Sequence, residues 1–234
     1  KENEIGKLTI EYQKANGDWT TNREEITAKD VSDSKTVNVR VSSDDCLEYV
    51  TGTEELTINK RSVTLTSEGG TKPYDGTALT NDKVTVGGEK FAEGEGAAYT
   101  VTGSQTLVGS SDNEFTYTLN DGTNADNYTI KQVYGTLKVT NRSEKEKFEI
   151  TVTANSVKAT YDGKEHEAAG FETTEFTVNK QKYTVSGLTT ESPKKTNAGT
   201  YTNNISGTAV VKDKAGNDVT AQYTVKTENG NLVI

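Results

Sequence analysis

Few side chains in this sequence carry reactive chemistry. Cys46 is the only cysteine and His166 the only histidine. A thiol beside an imidazole makes a nucleophile when the ring takes the thiol proton. Nothing in the sequence positions these two together, and His166, flanked by Glu165 and Glu167, reads as a solvated histidine. One His and one Cys also fall short of the three or four ligands that zinc requires. Residues 121–127 and 212–218 offer several side-chain oxygens of the kind calcium accepts, yet neither has the spacing of a dedicated calcium loop. Asn and Asp favour such turns by hydrogen bonding to their own backbone, so both read as turns. A Lys–Asn isopeptide cross-link needs both groups and an acid inside an apolar core, and no lysine is embedded in an apolar strand. No cofactor is expected.

Aromatic stacking remains. An aromatic ring with a polar tip suits a sugar, whose faces are apolar and whose rim is polar. The candidate stacking residues are Trp19, the only tryptophan, and Tyr74 and Tyr161, each the head of a Tyr-Asp-Gly triplet. The competing reading of the tyrosines is architectural: the ring caps a core, the aspartate bonds the turn amides and the glycine permits the bend. Trp19 likewise has a competing role in a core or at a module interface.

The triplets belong to a longer repetition. After Tyr74-Asp75-Gly76 come Tyr99-Thr100-Val101, then Asn127-Tyr128-Thr129-Ile130 and Gly135-Thr136-Leu137-Lys138-Val139. After Tyr161-Asp162-Gly163 come Tyr183-Thr184-Val185, then Gln222-Tyr223-Thr224-Val225 and Gly230-Asn231-Leu232-Val233-Ile234. Four landmarks in one order indicate an internal duplication, and a triplet kept in both copies favours the architectural reading of Tyr74 and Tyr161.

Composition sets the class. Only 31% of the 234 residues are hydrophobic and the net charge is −9, a balance that in an unpatterned chain signals disorder. Here the apolar residues fall in short alternating runs, which suits several thin cores. The excess of 35 acids over 26 bases argues against nucleic acid, which demands clustered Lys and Arg. No apolar run is long enough to span a bilayer, so no membrane insertion is expected. The sequence shows neither a signal peptide nor an initiating Met, and the expectation is a piece of a longer or processed chain. A lone buried Cys46 thiol fits an extracellular or a cytosolic protein equally.

Short strands separated by turn signals, with no helical periodicity, predict an all-β fold with little helix: tandem small β-sandwich (Ig-like) or β-grasp-like modules in an extended rod. Residues 1–60 form a truncated Ig-like module whose clearest strand is 36–41, with Val37, Val39 and Val41 on one side. Residues 61–141 and 147–234 form the two repeats. The interval 141–147 holds no apolar residue and reads as the linker between them. Residues 77–83 have room for one helical turn at most.

These motifs resemble the YDG-type or MBG-type tandem repeats of giant bacterial surface proteins and adhesins. Ala198-Gly199-Thr200-Tyr201-Thr202 belongs to the same pattern, and the first copy departs from it with Glu114-Phe115-Thr116-Tyr117. Residues 1–60, with Asn16-Gly17-Asp18-Trp19, are similar to Ig-like modules of Gram-positive gut bacteria. The resemblance implies a non-catalytic extracellular stalk or adhesive segment, cell-wall attached or secreted. It implies a monomer within a longer chain, with host glycans or matrix proteins as partners. The alternatives are a carbohydrate- or mucin-binding module and an accessory region of a larger secreted enzyme. The resemblance carries over no catalytic or metal-binding residue.

Overall fold

The computed structural model describes residues 6–234, with Cys46 and Leu47 described through their backbone alone. The expected burial of the Cys46 thiol therefore lies outside the described residues. The chain is all-β: 53% of it is strand, and the 7% that is helical consists of single 3₁₀ turns. No helix among the described residues is long and apolar enough to cross a membrane. Residues 77–83 hold no helical turn. The fold divides into two compact units, one built from the residues up to Glu68 with Asp82–Thr102 and Glu114–Tyr134, the other from Gly69–Asn81, Gly103–Asn113 and Gly135–Ile234.

In the first unit, Leu8–Gln13, Trp19–Thr20, Lys35–Ser43 and Cys46–Leu56 form one antiparallel sheet, with Leu8–Gln13 and Lys35–Ser43 at its centre. Strand alternation sends Ile10, Tyr12, Val37, Val39 and Val41 to one face, where with Leu56 they line a cavity of about 390 Å³. The same unit contains a second core. Arg61–Ser67 runs between Val84–Gly88, antiparallel, and Tyr128–Val133, parallel. Ala97–Val101 and Phe115–Leu119 pair as a separate ribbon. Val63, Leu65, Phe115 and Tyr128 are buried where these sheets meet.

The second unit repeats those pairings. Phe148–Thr153 lies parallel to Tyr223–Glu228, and Val157–Lys158 parallel to Gly230–Val233, just as Gly70–Pro73 lies parallel to Thr136–Thr140. Register fixes the equivalences: Tyr128 faces Arg61 and Tyr223 faces Phe148, while Leu137 faces Gly70 and Leu232 faces Val157. Tyr74 and Tyr161, four residues beyond Gly70 and Val157 respectively, therefore occupy corresponding places. Buried Asn113 and Asn203 also correspond, and each donates its amide to a backbone carbonyl, of Asn81 and Asn155 respectively.

The core of this unit combines Ile150, Val152, Tyr183, Val185, Val211, Val219 and Tyr223 with Tyr74 and Val139. The rings of Tyr183 and Tyr223 lie 5.1 Å apart, and the Tyr74 hydroxyl is 3.5 Å from that of Tyr183. The apolar-free interval 141–147 is no loose linker. Arg142 donates to the Tyr74 carbonyl at 2.9 Å and lies over the Phe148 ring at 4.1 Å, so a charged side chain with a flat apolar face fixes it in place of hydrophobic contact.

Burial pushes the phenol pKa values of Tyr74 and Tyr223 upward, with Tyr183 adding to the effect. In the unfolded chain a tyrosine ionises near 10. Below that pH both states are neutral at these positions and their contribution is complete. Above it the unfolded chain gains by ionising and the folded chain does not, so stability falls as pH rises. Urea unfolding between pH 9 and 11 is expected to show this loss, about 1.4 kcal/mol in total for each phenol over that range and steepest at its alkaline end. Tyr74→Phe and Tyr223→Phe are each expected to flatten the decline, and an unchanged slope in both would refute this account.

Candidate functional site

The face of the first sheet opposite the cavity carries Glu11, Gln13, Trp19, Asn38, Arg40, Tyr49, Thr51 and Thr53, because cross-strand partners share a face. Arg40 is its centre. Its guanidinium lies 4.4 Å from the Trp19 ring centroid and 4.2 Å from that of Tyr49. Two further bonds, of 2.8 and 3.0 Å, tie it to the Glu11 carboxylate. A planar cation suits both duties: its edge presents paired N–H donors and its faces stack on rings. Asn38 donates to Gln13 at 2.9 Å. Beside the indole, Trp19, Asn38, Thr51 and Thr53 line a second cavity of about 320 Å³. This face thus offers an aromatic wall, hydroxyl and amide groups, and a cation whose charge is neutralised by Glu11. Such an arrangement suits a neutral polar ligand better than an anion.

The two Tyr-Asp-Gly turns share their geometry but not their surroundings. Asp75 accepts from the Thr77 amide and Asp162 from the Lys164 amide, each at 2.9 Å, and Gly76 and Gly163 both hold φ at +80°. Tyr74 is 1% exposed, leaving no ring face for a ligand; Tyr161 is 60% exposed. Lys72 braces the first turn through Asp75 at 2.8 Å, whereas His166 sits 3.0 Å from Asp162 in the second. His166 is thus engaged with its own turn. The candidate stackers Trp19 and Tyr74 lie in different units, and Tyr161 stands in the same unit as Tyr74 on an equivalent turn.

The oxygen-rich stretches hold themselves together. Asn124 accepts from the Asp126 amide, and Asp213 accepts from the amides of Ala215 and Asn217 and from the Asn217 side chain. Among the described residues no group of three or more His, Cys, Asp or Glu converges as metal ligands would.

Two side-chain arrangements were not legible in the sequence. Arg40 was readable only as a polar residue of the 36–41 strand; the signal was that it is the one charged residue on that strand's polar side. The other arrangement belongs to the residue before each closing tyrosine. Asn127 donates to the Asp30 carboxylate at 2.6 Å and accepts from the Val31 amide at 2.8 Å. Gln222 donates to the Asn141 side chain at 2.6 Å and accepts from the Arg142 amide at 3.0 Å. Both grip the stretch of chain that precedes their own repeat. The recurring amide side chain at that landmark was the available signal. No family model matches the chain, and no curated protein matches it significantly.

The hydrogen bonds from Arg40 hold the Glu11 carboxyl below its ordinary value of 4.5. A depressed carboxylate contributes above its unfolded value and loses that contribution as pH falls through the folded one. Fluorescence of Trp19, the sole tryptophan, is therefore expected to stay constant from neutral pH down to about 4.5 and to change below it. Glu11→Gln should abolish this step, and Arg40→Ala should shift the emission already at neutral pH. A step that persists unchanged in Glu11→Gln would assign it to another group.

Proposed function

We propose that this chain is a non-catalytic extracellular repeat segment of a bacterial surface protein, acting as a stalk that holds β modules in series and presents adhesive surface. The observation that carries this reading is the double use of one joint. The side-chain amide before each closing tyrosine grips a backbone N–H and a side-chain oxygen of the chain before its repeat. A segment whose task is to transmit position or tension needs each module fastened to its predecessor, and paired hydrogen bonds fix orientation as well as attachment. The motif order resembling YDG-type repeats supports the surface setting, and the acidic balance keeps such a segment soluble.

A second reading, a carbohydrate- or mucin-binding module, is favoured by the Trp19 face and its adjoining cavity. Host glycans are the partners proposed under this second reading, and matrix proteins under the first. The two separate on a glycan and mucin array probed with the whole chain and with Trp19→Ala. The stalk reading expects no saturable binding by either protein. Saturable binding lost in Trp19→Ala would replace it with the lectin-like one.

The stalk reading also makes the Tyr74 turn mechanically important. A β-carbon at Gly76 would collide with the Tyr183 hydroxyl, whereas at Gly163 nothing lies within 4 Å. Both glycines share the same left-handed φ, so Ala at either position meets the same backbone cost, about 1 kcal/mol. Gly76→Ala is therefore expected to lower the thermal midpoint clearly more than Gly163→Ala. Equal losses would mean that the contact with Tyr183 is dispensable.

A further inference from the structure

Resting on the reading of the chain as serial modules, we infer that the Tyr161-Asp162-Gly163 turn is a docking surface for one further module of the same type. The half of the joint seen at Tyr74 shows what such a partner supplies. Tyr74 inserts beside Tyr183, Val211, Val219 and Tyr223. The turn rests on the hairpin of Glu175–Val178 and Gln181–Thr190, whose two loop residues, Asn179 and Lys180, both have positive φ. Asn179 donates from this loop to the Asp75 carbonyl at 3.3 Å, and Gly76 abuts Tyr183 and Gln181.

The second turn keeps the backbone form of the first, with His166 in place of Lys72 on its aspartate, and lacks this cover. Its register position, its aspartate-to-amide bond and its glycine conformation are the same. Yet Tyr161 stands 60% exposed where Tyr74 is 1% exposed, and the space beside Gly163, filled by Tyr183 at Gly76, is open. An aromatic ring projected to solvent from a turn already locked in its docked form is preorganised for a receptor of that shape. The fitting receptor is a hairpin with a Tyr183-like ring and an Asn179-like amide. The hairpin of this kind in the same unit already holds Tyr74, so the occupant is an additional repeat and not a second copy of the 234-residue chain.

The test joins residues 140–234 a second time directly after Ile234. This preserves the spacing, because Ile234 stands where Val139 stands. Tyrosine nitration followed by peptide mass analysis reads each ring, the appended copy carrying Tyr161→Phe so that the Tyr161 peptide comes from the original repeat alone. In the 234-residue chain Tyr161 is expected to react rapidly and Tyr74 slowly. In the fusion, Tyr161 of the original repeat should slow by about tenfold or more, since modification must then await local opening. Tyr161→Ala at that position should leave the midpoint of the 234-residue chain unchanged and lower that of the appended copy. Nitration of Tyr161 at equal rates in both proteins, with Tyr74 protected, overturns the docking inference alone. Rapid nitration of Tyr74 in the 234-residue chain would overturn the joint itself, and with it the serial-module reading.

Discussion

Each repeat is closed by a parallel pair formed between its first strand and a strand some 70 residues later: Arg61–Ser67 with Tyr128–Val133, and Phe148–Thr153 with Tyr223–Glu228. Parallel neighbours cannot be joined by a tight turn, so the chain between them must cross over. The core is complete only when the closing strand arrives, and that strand's register then settles much else. Pairing of the closing tyrosine with the first residue of the opening strand places Asn127 and Gln222 one step earlier. From there an amide side chain meets chain that lies ahead of the repeat, Asp30 and Val31 in one case and Asn141 and Arg142 in the other. The joint is thus a by-product of closure: a repeat that closes in register grips its predecessor, and one that slips by a residue loses both the core face and the grip.

The same economy appears in the cores. A chain that is 31% hydrophobic divided among several modules leaves each with little to bury, and small cores are marginal. Two devices compensate. Tyr74 lends its ring to the core that also contains Ile150, Val185 and Tyr223, so one aromatic serves the turn it begins and the repeat it enters. Buried polar groups are bonded where apolar ones are lacking: Asn203 donates to the Asn155 carbonyl and accepts from the Ser192 amide. A buried amide with both ends engaged costs little and fixes one arrangement, whereas a severed one would carry its full desolvation penalty.

Strand existence was legible because period-two alternation records burial directly. Val63 and Leu65, Ile150 and Val152 all face inward as their spacing requires. The repeat was legible for the same reason, since its landmarks sit at fixed register positions. Parallel pairing was not, because alternation says which face is buried and nothing about which strand lies alongside. The interval 141–147 misled in an instructive way. Absence of apolar residues signals a linker only if burial is the sole means of fixing a segment, and here Arg142 does so with hydrogen bonds and a ring contact. The aromatic face was half legible: Trp19 stood out by rarity, while Arg40, which organises it, resembled any charged residue on a solvated strand.

Tyr74 and Tyr161 mark where a sequence stops being informative about function. The triplets are identical, the turns have the same geometry, and the rings end in opposite environments. No property of the triplet separates them; the neighbour does. An exposed tyrosine on a repeat is therefore weak grounds for ligand stacking when its counterpart is buried against another repeat, because the same triplet on the same turn also serves as a packing contact. Trp19 differs in kind. It has no counterpart elsewhere in the chain, and the cation on its ring is held by a carboxylate in place of a neighbouring module. If one surface of this chain is shaped for an outside ligand, the physical distinction points to the sheet face around Arg40, because the Tyr74 turn is taken up by packing between repeats.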